Sequence, residues 1–85
     1  MAAETRAQLA QAVVEACLGM QAQGLNQGTA GNVSARWGDG FLITPTGVPC
    51  ADLRAQDIVH VHLDGRAEPG LRPSSEWRLH RDIYA

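Results

Sequence analysis

The tripeptide Gly38-Asp39-Gly40 stands between an alternating segment, Asn32 to Trp37, and the short apolar run Phe41-Leu42-Ile43-Thr44. A Gly-Asp-Gly turn flanked in this way is a hairpin signal. Val33 and Ala35 alternate with polar neighbours, as in a half-buried strand. A third strand is predicted from Ile58 to Leu63, with Ile58, His60 and His62 on one face and Val59, Val61 and Leu63 on the other. Asp64-Gly65 turns the chain again. Between the hairpin and the third strand, Pro45-Thr46-Gly47-Val48-Pro49 cannot be a central strand and reads as a rigid loop.

Helices flank this β-region. Leu9, Val13, Cys17 and Met20 recur at helical spacing, with Ala10, Val14 and Leu18 widening the stripe, and this predicts a helix from Arg6 to Gln23. Thr5 and Gln8 fit a capping box at its start, and Gly24 supplies a stop. A second helix opens at Pro73-Ser74-Ser75-Glu76, with Ser74 as N-cap and Glu76 in the first turn. On it Trp77, His80, Arg81 and Tyr84 share one side, and Leu79 and Ile83 another. No stop signal follows, so the pattern reads as one that continues past Ala85.

Composition narrows the function classes. With 85 residues the chain is at most one domain, and a chain this short buries only about 60% of the surface it exposes when unfolded. Seven Arg and Lys against nine Asp and Glu leave no basic excess for a nucleic-acid backbone. No apolar run approaches the roughly 18 residues of a membrane span, and the N-terminus lacks a secretory pattern. Two cysteines are too few for a disulfide framework. These features describe a cytoplasmic chain with reduced thiols, Cys17 in the core stripe and Cys50 in a loop open to solvent. Trp37 and Trp77 read as packing or subunit-contact residues.

Three segments offer anion-binding chemistry. The loop Gly28-Thr-Ala-Gly31-Asn32 can present backbone N–H groups and the Asn32 amide. Thr46-Gly47 offers a hydroxyl and open backbone between two prolines. Ser74-Ser75 places two hydroxyls beside the free N–H groups of a helix start. The chain has no lysine, which excludes a Walker-type phosphate loop, and the Gly28 loop lacks the third glycine of a dinucleotide fingerprint. Each segment taken singly reads as a turn or a cap.

Together, Gly24-Leu-Asn-Gln-Gly-Thr-Ala-Gly-Asn-Val-Ser-Ala-Arg36, Leu42-Ile-Thr-Pro-Thr-Gly47, Asp57-Ile-Val59 and Pro73-Ser-Ser-Glu-Trp-Arg-Leu-His80 resemble the class II aldolase and adducin family. The resemblance implies an α/β fold, a three-layer α/β/α domain with a central, largely antiparallel sheet. Residues 1–85 would then be the N-terminal portion of a single such domain. It also implies reversible cleavage of a sugar 1-phosphate, of the L-fuculose 1-phosphate kind, to dihydroxyacetone phosphate and an aldehyde. The phosphate would be held by Gly31, Asn32, Thr46, Gly47, Ser74 and Ser75. Glu76 would be the catalytic carboxylate and a ligand of a zinc ion. The implied assembly is a homotetramer acting on a phosphorylated sugar, with neither nucleic acid nor membrane as partner. L-ribulose-5-phosphate 4-epimerase, methylthioribulose-1-phosphate dehydratase and a non-catalytic adducin-like module share the fold and stay open as alternatives.

By the same resemblance the zinc-binding histidines lie beyond Ala85, so residues 1–85 alone would be inactive. His60-Val61-His62 has the period of two ligands on one strand face, but it falls where the resemblance places no ligands and reads as two solvent-facing histidines. His80 reads as a helix-surface or packing residue. For Glu76, a helix start favours the ionised form, which suits a ligand or base, whereas a general acid near neutrality needs burial.

Overall fold

The computed structural model describes residues 5–23, 33–70 and 72–85. Helix α1 spans Arg6–Ala22, strand β1 Ser34–Trp37, β2 Gly40–Ile43, β3 Val59–His62 and helix α2 Trp77–Tyr84. Single-turn 3-10 helices lie at Cys50–Asp52 and Ala55–Asp57. The predicted capping box forms: the Gln8 N–H donates to Thr5 Oγ1 (3.1 Å), and the Thr5 N–H to Gln8 Oε1 (2.8 Å). Gly24 and the glycine-rich loop, Gly31 and Asn32 included, lie outside the described residues. No helix among the described residues is long and apolar enough to cross a membrane.

The strands form an antiparallel meander in the order β1-β2-β3. The Gly38-Asp39 turn sets its register, with Trp37 opposite Gly40 and Ser34 opposite Ile43. On the other side Gly40 faces His62 and Ile43 faces Val59. Gly40 is required there, because a Cβ on it would sit 2.1 Å from the Val61 carbonyl oxygen. The outer edge of β3 is closed by the returning chain, through the His62 N–H to the Arg66 carbonyl (2.8 Å) and the Glu68 N–H to the His60 carbonyl (3.0 Å).

The period of two along the strands divides the core into layers. Leu42 buries on one side with Ala10, Val13, Val14 and Cys17 of α1 and with Cys50, Leu53 and Ile58, while Ala35 and Trp37 pack at the margin. Phe41, Ile43, Val59 and Val61 bury on the other side, against Trp77 and Tyr84 of α2. One helix on each face of an antiparallel sheet is the three-layer α/β/α arrangement implied by the sequence. Trp37 and Trp77 are packing residues in it.

Two expectations are corrected here. Cys50 is buried, and its sulfur is bonded to that of Cys17 across a Cα separation of 5.8 Å, so the thiols are not reduced. Counting cysteines tests for a framework of disulfides, but not for one pair that the packing of α1 on the 50–52 turn brings together. Helix α2 also begins later than expected, at Trp77, with Glu76 in the N-cap position. Ser74 opens a turn before it: its carbonyl accepts from the Trp77 N–H (3.0 Å) and its Oγ from the Glu76 N–H (3.3 Å).

Cross-linking positions 33 residues apart stabilises a chain by about 3–4 kcal/mol through its unfolded state. Denatured, unreduced protein is expected to titrate no free thiol, and reduction should release both. Replacing both cysteines by alanine should lower unfolding stability by an amount of that order. Two reactive thiols before reduction would contradict the pairing.

Candidate functional site

Beyond Ile43 the sheet continues as a single bridge between Pro45 and Pro73. Its flanking bonds run from the Thr46 N–H to the Arg72 carbonyl and from the Ser74 N–H to the Thr44 carbonyl, both 2.9 Å. The prolines donate nothing, and their neighbours carry the pairing. The bridge brings together two segments singled out 28 positions apart in the sequence, Thr46-Gly47 and Ser74-Ser75. Between them lies an open depression of about 340 Å³, lined by Thr46, Arg72, Pro73, Ser75, Trp77 and Arg78.

The candidate residues differ in how they meet this depression. Thr46 and Ser75 are exposed and line it. Gly47 turns the chain beside it at φ +77°, in the left-handed region that favours glycine. Ser74 is buried and its Oγ is engaged at the start of α2, so its contribution is to hold the turn. Glu76 is exposed at the head of the helix, next to Ser75 and Trp77. Arg72 and Arg78 were not singled out from the sequence, where isolated arginines carry no pattern. In the fold they give the depression two cations, and Arg78 lies over the Trp77 ring, 4.7 Å from its centroid. Hydroxyls, open backbone and two guanidinium groups around one hollow suit an anion with several oxygens.

On the same side of the sheet, His80 is tied to β1. Ser34 Oγ lies 2.6 Å from His80 Nδ1 and 2.8 Å from the Tyr84 hydroxyl. The Tyr84 ring stacks on Phe41 at 5.3 Å, and Arg36 reaches its carbonyl. His80 is therefore a docking residue of α2, in keeping with the packing role read from the sequence. Burial lowers its pKa, and Glu76 one turn earlier pulls the other way.

On the opposite face, His60 and His62 depart from the expectation of two solvent-facing side chains. Their side chains are 14% and 30% exposed, their rings lie 4.4 Å apart, and both approach Asp39. Burial, then the neighbouring His62, lowers the pKa of His60.

Residues 11–85 match the family described as the class II aldolase and adducin N-terminal domain. The chain belongs to that family. It is 51% identical over 79 residues to the L-fuculose phosphate aldolase of Haemophilus influenzae, covering 93% of this chain and 37% of that protein. It is 48% identical over 81 residues to a 5-methylthioribulose-1-phosphate/5-deoxyribulose-1-phosphate aldolase of Rhodospirillum rubrum, covering 95% of this chain and 37% of that protein. A solved structure of L-fuculose 1-phosphate aldolase superposes with a TM-score of 0.83 at 29% identity, over 99% of this chain and 40% of that one. The chain thus spans well under half the length of the relatives it matches, and it carries the fold of their N-terminal part.

Both histidines with lowered pKa values, His80 and His60, take up protons more readily once unfolded, where the ordinary value is about 6.5. Stability is therefore expected to be full above about pH 6.5 and to decline as pH falls below it. Urea midpoints on either side of that pH check the slope, and a His80→Gln variant should show a shallower decline.

Proposed function

We propose that the protein is a class II aldolase that cleaves a ketose 1-phosphate, and that residues 1–85 are the N-terminal portion of its single domain. The observation that carries this reading is the Pro45–Pro73 bridge, which sets Thr46 and Ser75 around one hollow with Arg72 and Arg78, with Gly47 and Glu76 next to them in the chain. The phosphate would sit in that hollow. Gly31 and Asn32 complete its cradle in the proposal, and Ser74 fixes the turn that presents Ser75.

Zinc is the cofactor in this proposal, yet the described residues do not by themselves fit it at Glu76. A zinc site takes three or four protein ligands. Among the described residues, the group of three metal-binding side chains that lie together does not include Glu76. Its nearest histidine along the helix, His80, is committed to Ser34. No step is therefore routed through the metal. As the carbon–carbon bond breaks, the hydroxyl on the departing carbon gives its proton to solvent and becomes the aldehyde carbonyl. The bonding pair stays on the enediolate of dihydroxyacetone phosphate, and the enediolate must gain a proton at carbon. Glu76, exposed and next in the chain to Ser75 and Trp77 of the hollow's lining, is the group that would carry that proton, and it would remove it in the reverse direction.

The similarity to the L-fuculose phosphate and 5-methylthioribulose-1-phosphate/5-deoxyribulose-1-phosphate aldolases supports bond cleavage over 4-epimerisation or dehydration, and leaves three candidate sugars. An adducin-like module without catalysis need not keep the acid–base carboxylate, so the presence of Glu76 after Ser74-Ser75 argues against it. The proposal extends to a cytoplasmic homotetramer. Leu79 and Ile83, 62% and 72% exposed on the outer side of α2, supply apolar surface for further packing. In a cytoplasm the Cys17–Cys50 bond would be an uncommon feature.

In the full-length protein, Glu76→Gln is expected to cut turnover of L-fuculose 1-phosphate by roughly 100-fold or more, with KM little changed. Arg78→Ala and Ser75→Ala should instead raise KM and weaken inhibition by inorganic phosphate. Unchanged turnover in Glu76→Gln would remove the assignment of Glu76.

A further inference from the structure

We propose that Asp39, His60 and His62 bind one divalent transition-metal ion of the zinc type, which ties the β1–β2 turn to β3. The period of two puts both histidines on the α1 side of the sheet, and the register sets His62 opposite Gly40, next to Asp39. Asp39 is anchored there by its carbonyl, which accepts from the Leu63 N–H (3.2 Å). Its Oδ1 lies 3.2 Å from His62 Nδ1 and 4.0 Å from His60 Nε2. All three ligand atoms fall within 4.8 Å of one another. Metal–ligand bonds of about 2.0–2.1 Å set tetrahedral ligands about 3.3 Å apart, so small rotations of the rings suffice to close the site.

A hydrogen bond between His62 and Asp39 accounts for that pair alone. His60 Nε2 is buried and has no hydrogen-bond partner among the described residues. A buried polar atom left unpaired is costly, and this one points toward the carboxylate from beyond hydrogen-bond range. An ion between the three groups would satisfy it. The nearest cation, Arg6, is paired with Glu68, whose carboxylate also accepts from the His60 N–H (2.9 Å), and Asp39 brings the site its own negative charge. Two imidazoles and one carboxylate favour zinc, cobalt or nickel over magnesium or calcium. Three protein ligands leave a fourth position for water.

The face is the one turned away from α2, so changes here leave Thr46, Ser75 and Glu76 in place. Titrating the metal-free protein with Zn²⁺, followed by imidazole ¹H–¹³C NMR, should shift the His60 and His62 signals together at stoichiometric metal while His80 stays fixed. Asp39→Asn and His62→Gln, both at partly exposed positions, should each weaken zinc binding by at least the roughly 100-fold that even an outer-shell change can cost. Zinc should raise the Tm of the parent protein, and both variants should lose the part of that gain that does not depend on Glu76, read as the difference from a Glu76→Gln protein titrated in the same way. Imidazole signals unmoved by excess zinc would overturn the proposal. So would variants that bind zinc as tightly as the parent protein.

Discussion

Because β2 lies between β1 and β3 within the sheet, and between α1 and α2 across it, every residue from Gly40 to Ile43 is buried. Its backbone is paired on both edges, while its side chains alternate between the two helices. Leu42 serves α1, and Phe41 and Ile43 serve α2. Burying each of these three side chains contributes about 1.5–3 kcal/mol, and Ile58 with Val59 and Val61 joins the same two layers from the neighbouring strand. A shift of one residue in register would turn Leu42 toward α2 and Phe41 toward α1, leaving neither helix with its partner. Gly40 guards against that shift, since only a residue without Cβ fits against the Val61 carbonyl.

What could be read directly from the sequence is what depends on neighbours along the chain. The Thr5–Gln8 capping box, the hairpin at Gly38-Asp39 and the alternation of His60 and His62 with Val59 and Val61 are all local patterns. They appear in the fold with shifts of one or two residues at the ends. The later start of α2 is of the same local kind: Ser74 caps a turn before the helix proper, and a serine two or three residues ahead of an apolar pattern signals either arrangement.

Nonlocal features were opaque for a physical reason. The bond between Cys17 and Cys50 requires α1 to lie over the 50–52 turn, which no spacing encodes. Arg72 and Arg78 became site residues only when the Pro45–Pro73 bridge folded their segment over Thr46. Asp39 read as a turn former, and its carboxylate acquires a second meaning only through the pairing of Gly40 with His62. The roles of Thr46, Gly47, Ser75 and Glu76 came from a resemblance over the whole chain, because no one of those segments exceeds a turn or a cap by itself.

The same strand also fixes how the two candidate sites relate to each other. Asp39 stands at the entry of β2, with the histidines beside it. Thr46 follows its exit, where the prolines extend the pairing just far enough to receive Ser74-Ser75. Six residues, Gly40 to Pro45, separate them, roughly 20 Å at the rise of a strand. Sites that far apart, without shared partners, ordinarily contribute independently to stability. A metal ion at the hairpin end would brace the turn and β3 without touching the hollow. An anion at the other end would order the approach to α2 without altering the histidines. Any coupling between the ends would have to pass through β2 itself, a strand held on both edges and both faces that has little freedom to carry it.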